Sequence, residues 1–153
     1  MNTGDIAPEI ALATDADDRF VLSEHLGRKV VLFFYPQDDT ETCTKEAIDF
    51  SQFAEAFAEA DTIVVGISPD DESSHARFRK KHKLAAVLAA DPEHEAIEAY
   101  GVWQEKKTFG KTYMGVVRTT YLIGRDGRIA GKWVVTRVKG HAEAVLRAAQ
   151  DLD

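Results

Sequence analysis

Val30-Val-Leu-Phe-Phe-Tyr35 runs directly into Pro36-Gln-Asp-Asp-Thr40 and then into Glu41-Thr-Cys-Thr-Lys-Glu-Ala47. The unbroken run of apolar, β-branched and aromatic residues predicts a strand buried on both faces. Pro36 ends it, because proline has no N–H to donate to a sheet ladder. After Thr40 the period changes. Ala47, Phe50, Ala54 and Phe57 recur at helical spacing as far as about Ala60, with Phe53 beside them and Glu55 and Glu59 facing away. A buried strand, a proline-containing loop and an amphipathic helix form the first half of a βαβ unit.

The same reading extends outward. Thr62 to Ile67 is a second buried strand, closed by Ser68-Pro69, and Asp71 to His82 is a polar helix. Ala85 to Ala90 reads as a short strand and Pro92 to Tyr100 as a short helix with proline near its start. Val116 to Ile123 and Arg128 to Val135 flank Gly124-Arg-Asp-Gly127, whose Asp-Gly predicts a hairpin. Gly140 to Leu152 forms a closing amphipathic helix, and the first 22 residues are extended pieces around the polar turn Asp15 to Asp18. Alternating strands and helices predict an α/β fold, a central mixed β-sheet flanked by helices. No linker or repeat divides the chain, so residues 1–153 read as a single domain. In such sheets ligands sit at the carboxyl ends of the strands, which directs attention to the loop after Tyr35.

Composition narrows the function classes. Lys and Arg total 19 against 26 Asp and Glu, a formal charge of −7, with no basic block. That balance argues against nucleic acid and anionic membranes as partners. The apolar runs are far shorter than a membrane span, and the opening Met1 to Pro8 lacks the pattern of a signal peptide. Cys43 is the only cysteine, which excludes an internal disulfide, a Cys-x-x-Cys pair and a cysteine-rich zinc site. A lone thiol suits the reducing cytoplasm. The five histidines show no paired ligand spacing and read as surface residues, so neither metal nor cofactor is expected.

Thr40 is the natural N-cap of the helix after the loop, which puts Cys43 at the third helical position. Unpaired N–H groups and the positive end of the helix dipole favour a thiolate there. Cys43 also shares the inward stripe of Ala47 and Phe50. Buried lone cysteines otherwise serve as small hydrophobes, and the residues by themselves leave both readings open.

Tyr35-Pro-Gln-Asp-Asp-Thr-Glu-Thr-Cys-Thr-Lys-Glu-Ala47 resembles the peroxidatic segment of the peroxiredoxins, whose Pro-x-x-x-Thr-x-x-Cys pattern is met by Pro36, Thr40 and Cys43. The similarity is greatest to the bacterioferritin comigratory protein, or peroxiredoxin Q, group. It continues through Gly4-Asp-Ile-Ala-Pro8, Phe20-Val-Leu-Ser23, Gly101-Val-Trp-Gln-Glu-Lys-Lys107, Gly110-Lys-Thr-Tyr-Met-Gly115 and Val117-Arg-Thr-Thr-Tyr-Leu-Ile123. The resemblance implies a thioredoxin-like fold and a thiol-dependent peroxidase acting on hydrogen peroxide and organic hydroperoxides. It implies that the Cys43 thiolate becomes a sulfenic acid, that Thr40 holds the peroxide, that Pro36 shields the sulfur, that Arg118 donates to sulfur and peroxide, and that Glu46 orients Arg118. Trp103, Phe109, Tyr113 and Met114 are candidates for the pocket rim, with Trp103 better read as core packing. Lys106, Lys107 and Lys111 form a small basic patch.

Full ionisation of an ordinary thiol at pH 7 is worth only about thirtyfold, or about 2 kcal/mol. The larger part of a peroxidase rate must therefore come from donors aimed at the charge growing on the leaving oxygen. Two departures from the group stand out. Glu41-Thr42 replaces Pro-Gly and places a carboxylate near the thiol, and Ile48 stands where many members carry a resolving cysteine. The sequence therefore looks like a one-cysteine variant recycled by an external thiol (thioredoxin, glutaredoxin with glutathione, or a small thiol), working as a monomer or weak homodimer. The alternative is a non-enzymatic redox sensor or binding module of the same fold.

Overall fold

The computed structural model describes residues 1–153. A short antiparallel hairpin, β1 (Ala11–Ala13) with β2 (Arg19–Val21), leads through a 3-10 turn at Leu22–His25 into β3 (Lys29–Phe34). Then come α1 (Glu41–Gln52), α2 (Ala54–Glu59), β4 (Thr62–Ser68), α3 (Glu72–His82), β5 (Val87–Ala90) and α4 (Glu95–Ala99). A ribbon of β6 (Trp103–Thr108) and β7 (Lys111–Val116) precedes β8 (Thr119–Ile123), β9 (Ile129–Val134) and α5 (His141–Asp151). The main sheet has the order β5-β4-β3-β8-β9, with β3, β4 and β5 parallel and β8 and β9 antiparallel to their neighbours. It is the expected mixed sheet. No helix is long and apolar enough to cross a membrane.

β3 is central, and its alternation serves two cores. Val30, Leu32 and Phe34 face the cluster built with the β1–β2 hairpin and α4. Val31, Phe33 and Tyr35 face the cluster built with α1, α2, α3 and α5. On that second face Phe33 stacks on Phe50 of α1, ring centroids 4.6 Å apart. The room for it comes from β4, where Gly66 has no side chain and a Cβ would lie 2.6 Å from Phe33 Cζ. Lys29, 3 % exposed, sends its ammonium to the carbonyls of Ala149 at 2.6 Å and Leu152 at 2.8 Å. It satisfies carbonyls that the last turn of α5 leaves unpaired.

The structure departs from sequence expectation at several places. The helix read from Thr40 to Ala60 is two helices. At Phe53 the N–H bonds back three residues to Phe50, and the tighter turn keeps Phe57 on the core side, its ring 6.0 Å from that of Phe50. The helix expected from Pro92 starts at Glu95 because His94 adopts a left-handed backbone, φ 60°; the Asp91 carboxylate accepts from the N–H groups of Glu95 and Ile97, both at 2.8 Å. The β6–β7 ribbon was hidden by its polar composition and by a Phe109-Gly110 turn, φ 51° and 77°, where Asn-Gly is the usual signal. Lys106 folds back to donate to Val116 O at 2.9 Å and faces away from Lys107, so the three lysines are not one patch. Lastly, two histidines are buried. His75 is fully enclosed, and His141 packs edge-on to Phe50 with Nε2 2.8 Å from Thr120 Oγ1.

Two predictions follow from this packing. Gly66→Ala forces the enclosed Phe33 ring out of place and should cost about 1–3 kcal/mol, read as a lower urea midpoint with an unchanged slope. His141 is pushed down to about 4, first by burial and then by the Arg118 charge. As its folded value lies below its unfolded one, His141 stabilises the fold above about pH 6.5 and loses that contribution as the pH falls towards 4. The stability difference between wild type and His141→Gln should therefore shrink by about 2–3 kcal/mol between pH 7 and pH 4.

Candidate active site

The site lies where β3 ends and β8 begins. Phe34 pairs with Thr119, so the chain leaving β3 and the residue preceding β8, Arg118, are neighbours at the same end of the sheet. Thr120 points to the α5 side, towards His141, and strand alternation sends Arg118 to that same face. There it meets the first turn of α1.

α1 begins as the sequence suggests. Thr40 holds the N-cap position with an extended backbone, φ −85° and ψ 156°, and its carbonyl accepts the first bond of the ladder from Thr44 N–H at 2.8 Å. Its side chain does not cap the helix. The hydroxyl turns back and donates to Gln37 O at 3.1 Å, because the loop bends close enough to offer that carbonyl. The N–H groups of Glu41, Thr42 and Cys43 thus lack an acceptor within the helix, as in any first turn. Glu41 is exposed, and its carboxylate is solvated rather than turned onto the sulfur.

Cys43 is 1 % exposed and sits in the core face of α1. Arg118 joins it to Glu46 one turn further on. Nη2 donates to Cys43 Sγ at 3.3 Å and Nη1 to Glu46 Oε1 at 2.7 Å. Glu46 is 1 % exposed, and its second oxygen, Oε2, is buried without a partner. Burial pushes the Glu46 carboxyl up to about 7, against the pull of Arg118. Burial also opposes the Arg118 charge, but Glu46 and then Cys43 outweigh it and hold the guanidinium above its ordinary range. The arrangement places a fixed cation, with donors in a planar fork, directly against a sulfur.

Three of the five expected site residues, Cys43, Arg118 and Glu46, are therefore in contact. Thr40 and the half-buried Pro36 lie on the adjoining loop and make no hydrogen bond to Sγ. The rim candidates do not gather here. Trp103 packs against the opposite core, its ring 4.4 Å from His94, while Phe109 stands fully exposed at the ribbon tip and Tyr113 and Met114 are exposed along it. The sequence reading missed a second cluster beside the site. Ser74 and His75 both bond the Asp38 carboxylate, and the only signal was an acidic pair shortly after a buried strand, beyond Pro36-Gln37.

Residues 3–132 match the AhpC/TSA family. The chain is 42% identical to peroxiredoxin Bcp of Bacillus subtilis, covering 99% of this chain and 97% of that protein. It is 39% identical to a putative peroxiredoxin bcp of Coxiella burnetii, covering 95% and 97%. Among solved structures, the Xanthomonas campestris bacterioferritin comigratory protein, described for its alkyl peroxide reduction activity, superposes with a TM-score of 0.87 at 33% identity, over 92% of this chain and 90% of that one. A PrxQ mutant from Xylella fastidiosa gives a TM-score of 0.89 at 31% identity, over 96% and 94%. The chain belongs to the AhpC/TSA family, in its Bcp and peroxiredoxin Q branch, and is a thioredoxin-fold, thiol-dependent peroxidase with a single cysteine.

Proposed function

We propose that Cys43, Arg118, Glu46, Thr40 and Pro36 together carry out the peroxidase reaction, on hydrogen peroxide and on alkyl hydroperoxides of the kind the Xanthomonas relative reduces. The observation that carries this reading is the guanidinium of Arg118 bridging Cys43 Sγ and the buried Glu46. The thiolate sulfur attacks the terminal peroxide oxygen. The S–O bond forms as the O–O bond breaks, sulfur is oxidised to a sulfenic acid, and the departing RO⁻ takes a proton and leaves as alcohol or water. Arg118 and the free N–H groups of the first turn of α1 are donors for the charge that grows on that oxygen. The Thr40 hydroxyl has its proton on Gln37 O, so its oxygen lone pairs are left to accept the peroxide O–H and set its orientation. Glu46 keeps Arg118 in register, and Pro36 limits water at the loop.

With Ile48 five residues beyond Cys43 and no second cysteine, the sulfenic acid is resolved from outside. An external thiol attacks the sulfenic sulfur, water leaves, and a second thiol then breaks the mixed disulfide to restore Cys43. The reductant belongs to the thioredoxin, glutaredoxin–glutathione or small-thiol class. We place the protein in the reducing cytoplasm, residues 1–153 acting as one domain and the working unit being a monomer or weak homodimer. Because Cys43 is 1 % exposed, the first turn of α1 must open for a thiol to reach it.

Cys43→Ser should abolish peroxide consumption with the fold intact. Arg118→Lys, which keeps the charge and loses the fork, should slow stopped-flow oxidation about 10²-fold; a wild-type rate in Arg118→Lys and Arg118→Ala would remove Arg118 from the site. When peroxide exceeds reductant, the waiting sulfenic acid should take a second oxygen. Intact mass should then show two added oxygens on Cys43 and no internal disulfide.

A further inference from the structure

Asp38 lies on the loop between β3 and α1, two residues from Thr40, and is buried with both carboxylate oxygens and its N–H engaged. Its Oδ1 accepts from the Tyr35 hydroxyl at 2.7 Å. Its Oδ2 accepts from Ser74 Oγ at 2.7 Å and faces His75 Nδ1 at 2.7 Å. Its own N–H donates to Asp70 Oδ2 at 2.7 Å, and Asp70 is held in turn by Ser68 Oγ at 2.7 Å. The ring of His75, 0 % exposed, places Nε2 3.1 Å from the Ala89 carbonyl of β5.

Both ring nitrogens of His75 therefore face an acceptor, a carboxylate on one side and a carbonyl on the other. The ring thus ties the loop carboxylate to the β5 backbone within one enclosed cluster. In a buried site such hydrogen bonds are strong, and leaving one unmade is costly. The other ties of the loop to α3, from Asp39 to Lys81 Nζ at 2.7 Å and His82 Nε2 at 2.9 Å, are exposed, and such pairs hold little. The buried cluster is the anchor.

We propose that His75 is a positioning residue for peroxide reduction: acting through Asp38, it fixes the Pro36–Thr40 loop against α3 and β5, and so sets the Thr40 hydroxyl and the first turn of α1 relative to Cys43. This rests on the roles given above to Thr40 and Cys43. A displacement of about 1 Å at a substrate-positioning group can cost as much as 10²-fold in rate, and the other buried holds on the loop, from Tyr35, Ser74 and Asp70, converge on the same Asp38.

The test is single-turnover oxidation of Cys43 by hydrogen peroxide, expressed per folded molecule, with thermal unfolding measured alongside. His75→Leu should slow oxidation about tenfold or more, and Ser74→Ala, which removes one donor to the same oxygen, about threefold. His75→Gln keeps a donor for Asp38 and should fall between wild type and His75→Leu. The double variant of Asp38→Asn with His75→Leu should be no slower than the slower single, because the two act as one clamp. If His75→Leu does not fold, His75→Gln and Ser74→Ala decide the matter. A lowered melting temperature with wild-type oxidation rates would make the cluster a structural element only and overturn the proposal, as would fully multiplicative losses in the double variant. Arg118→Lys runs beside them. If it is slow while the His75 variants are not, the clamp alone fails; if it too is fast, the reading of the active site fails.

Discussion

The pairing of Arg118 with Glu46, in contact with a buried sulfur, is the constraint around which the rest is arranged. A guanidinium needs its charge matched before it can be held in the protein interior, and the match here is incomplete, with one Glu46 oxygen lacking a partner. Such a pair contributes little to stability, since desolvation offsets much of the attraction. Its value is geometric. Glu46 lies one turn beyond Cys43 on the same face of α1, so a cation drawn to the carboxylate is drawn to the sulfur as well.

The fold supplies what that pair requires. α1 must lie flat on the sheet so that its first turn meets the start of β8, and the Phe33–Phe50 stack, admitted by the absent side chain of Gly66, sets that approach. β8 must run antiparallel to β3 so that its beginning, not its end, lies beside the loop after Tyr35. The sheet reversal between the parallel half and the β8–β9 hairpin is thus what brings an arginine from late in the chain to a cysteine near its start.

Much of this was legible in the sequence, for identifiable reasons. Strands such as Val30–Tyr35 and Thr62–Ile67 are buried on both faces and read as continuous apolar runs, and Asp126-Gly127 marked its hairpin. Cys43 was legible because the strand, the proline and the candidate cap placed it at a helix start, and Arg118 and Glu46 followed only from resemblance to a family. What escaped notice has a different physical cause in each case. The β6–β7 ribbon has no apolar alternation. Thr40 carries the right residue for a side-chain cap, but a local carbonyl competed successfully for its hydroxyl. His75 sits in a helix of polar residues, and its burial depends on Asp38, 37 positions away, which no periodicity reports.

Lys29 has a further consequence, for the order in which the molecule is assembled. It opens the central strand, yet the carbonyls it needs are 120 and 123 residues further along, and β3's antiparallel partner β8 is nearly as remote. During synthesis β3 emerges early with β4 close behind it, while its other edge waits for β8 and its buried ammonium for α5. The sheet is complete only when β8 and β9 are in place, and the Lys29 ammonium is satisfied only when α5 follows them. Over that interval the open edge of β3, among the most apolar segments of the protein, is the surface a chaperone would need to cover.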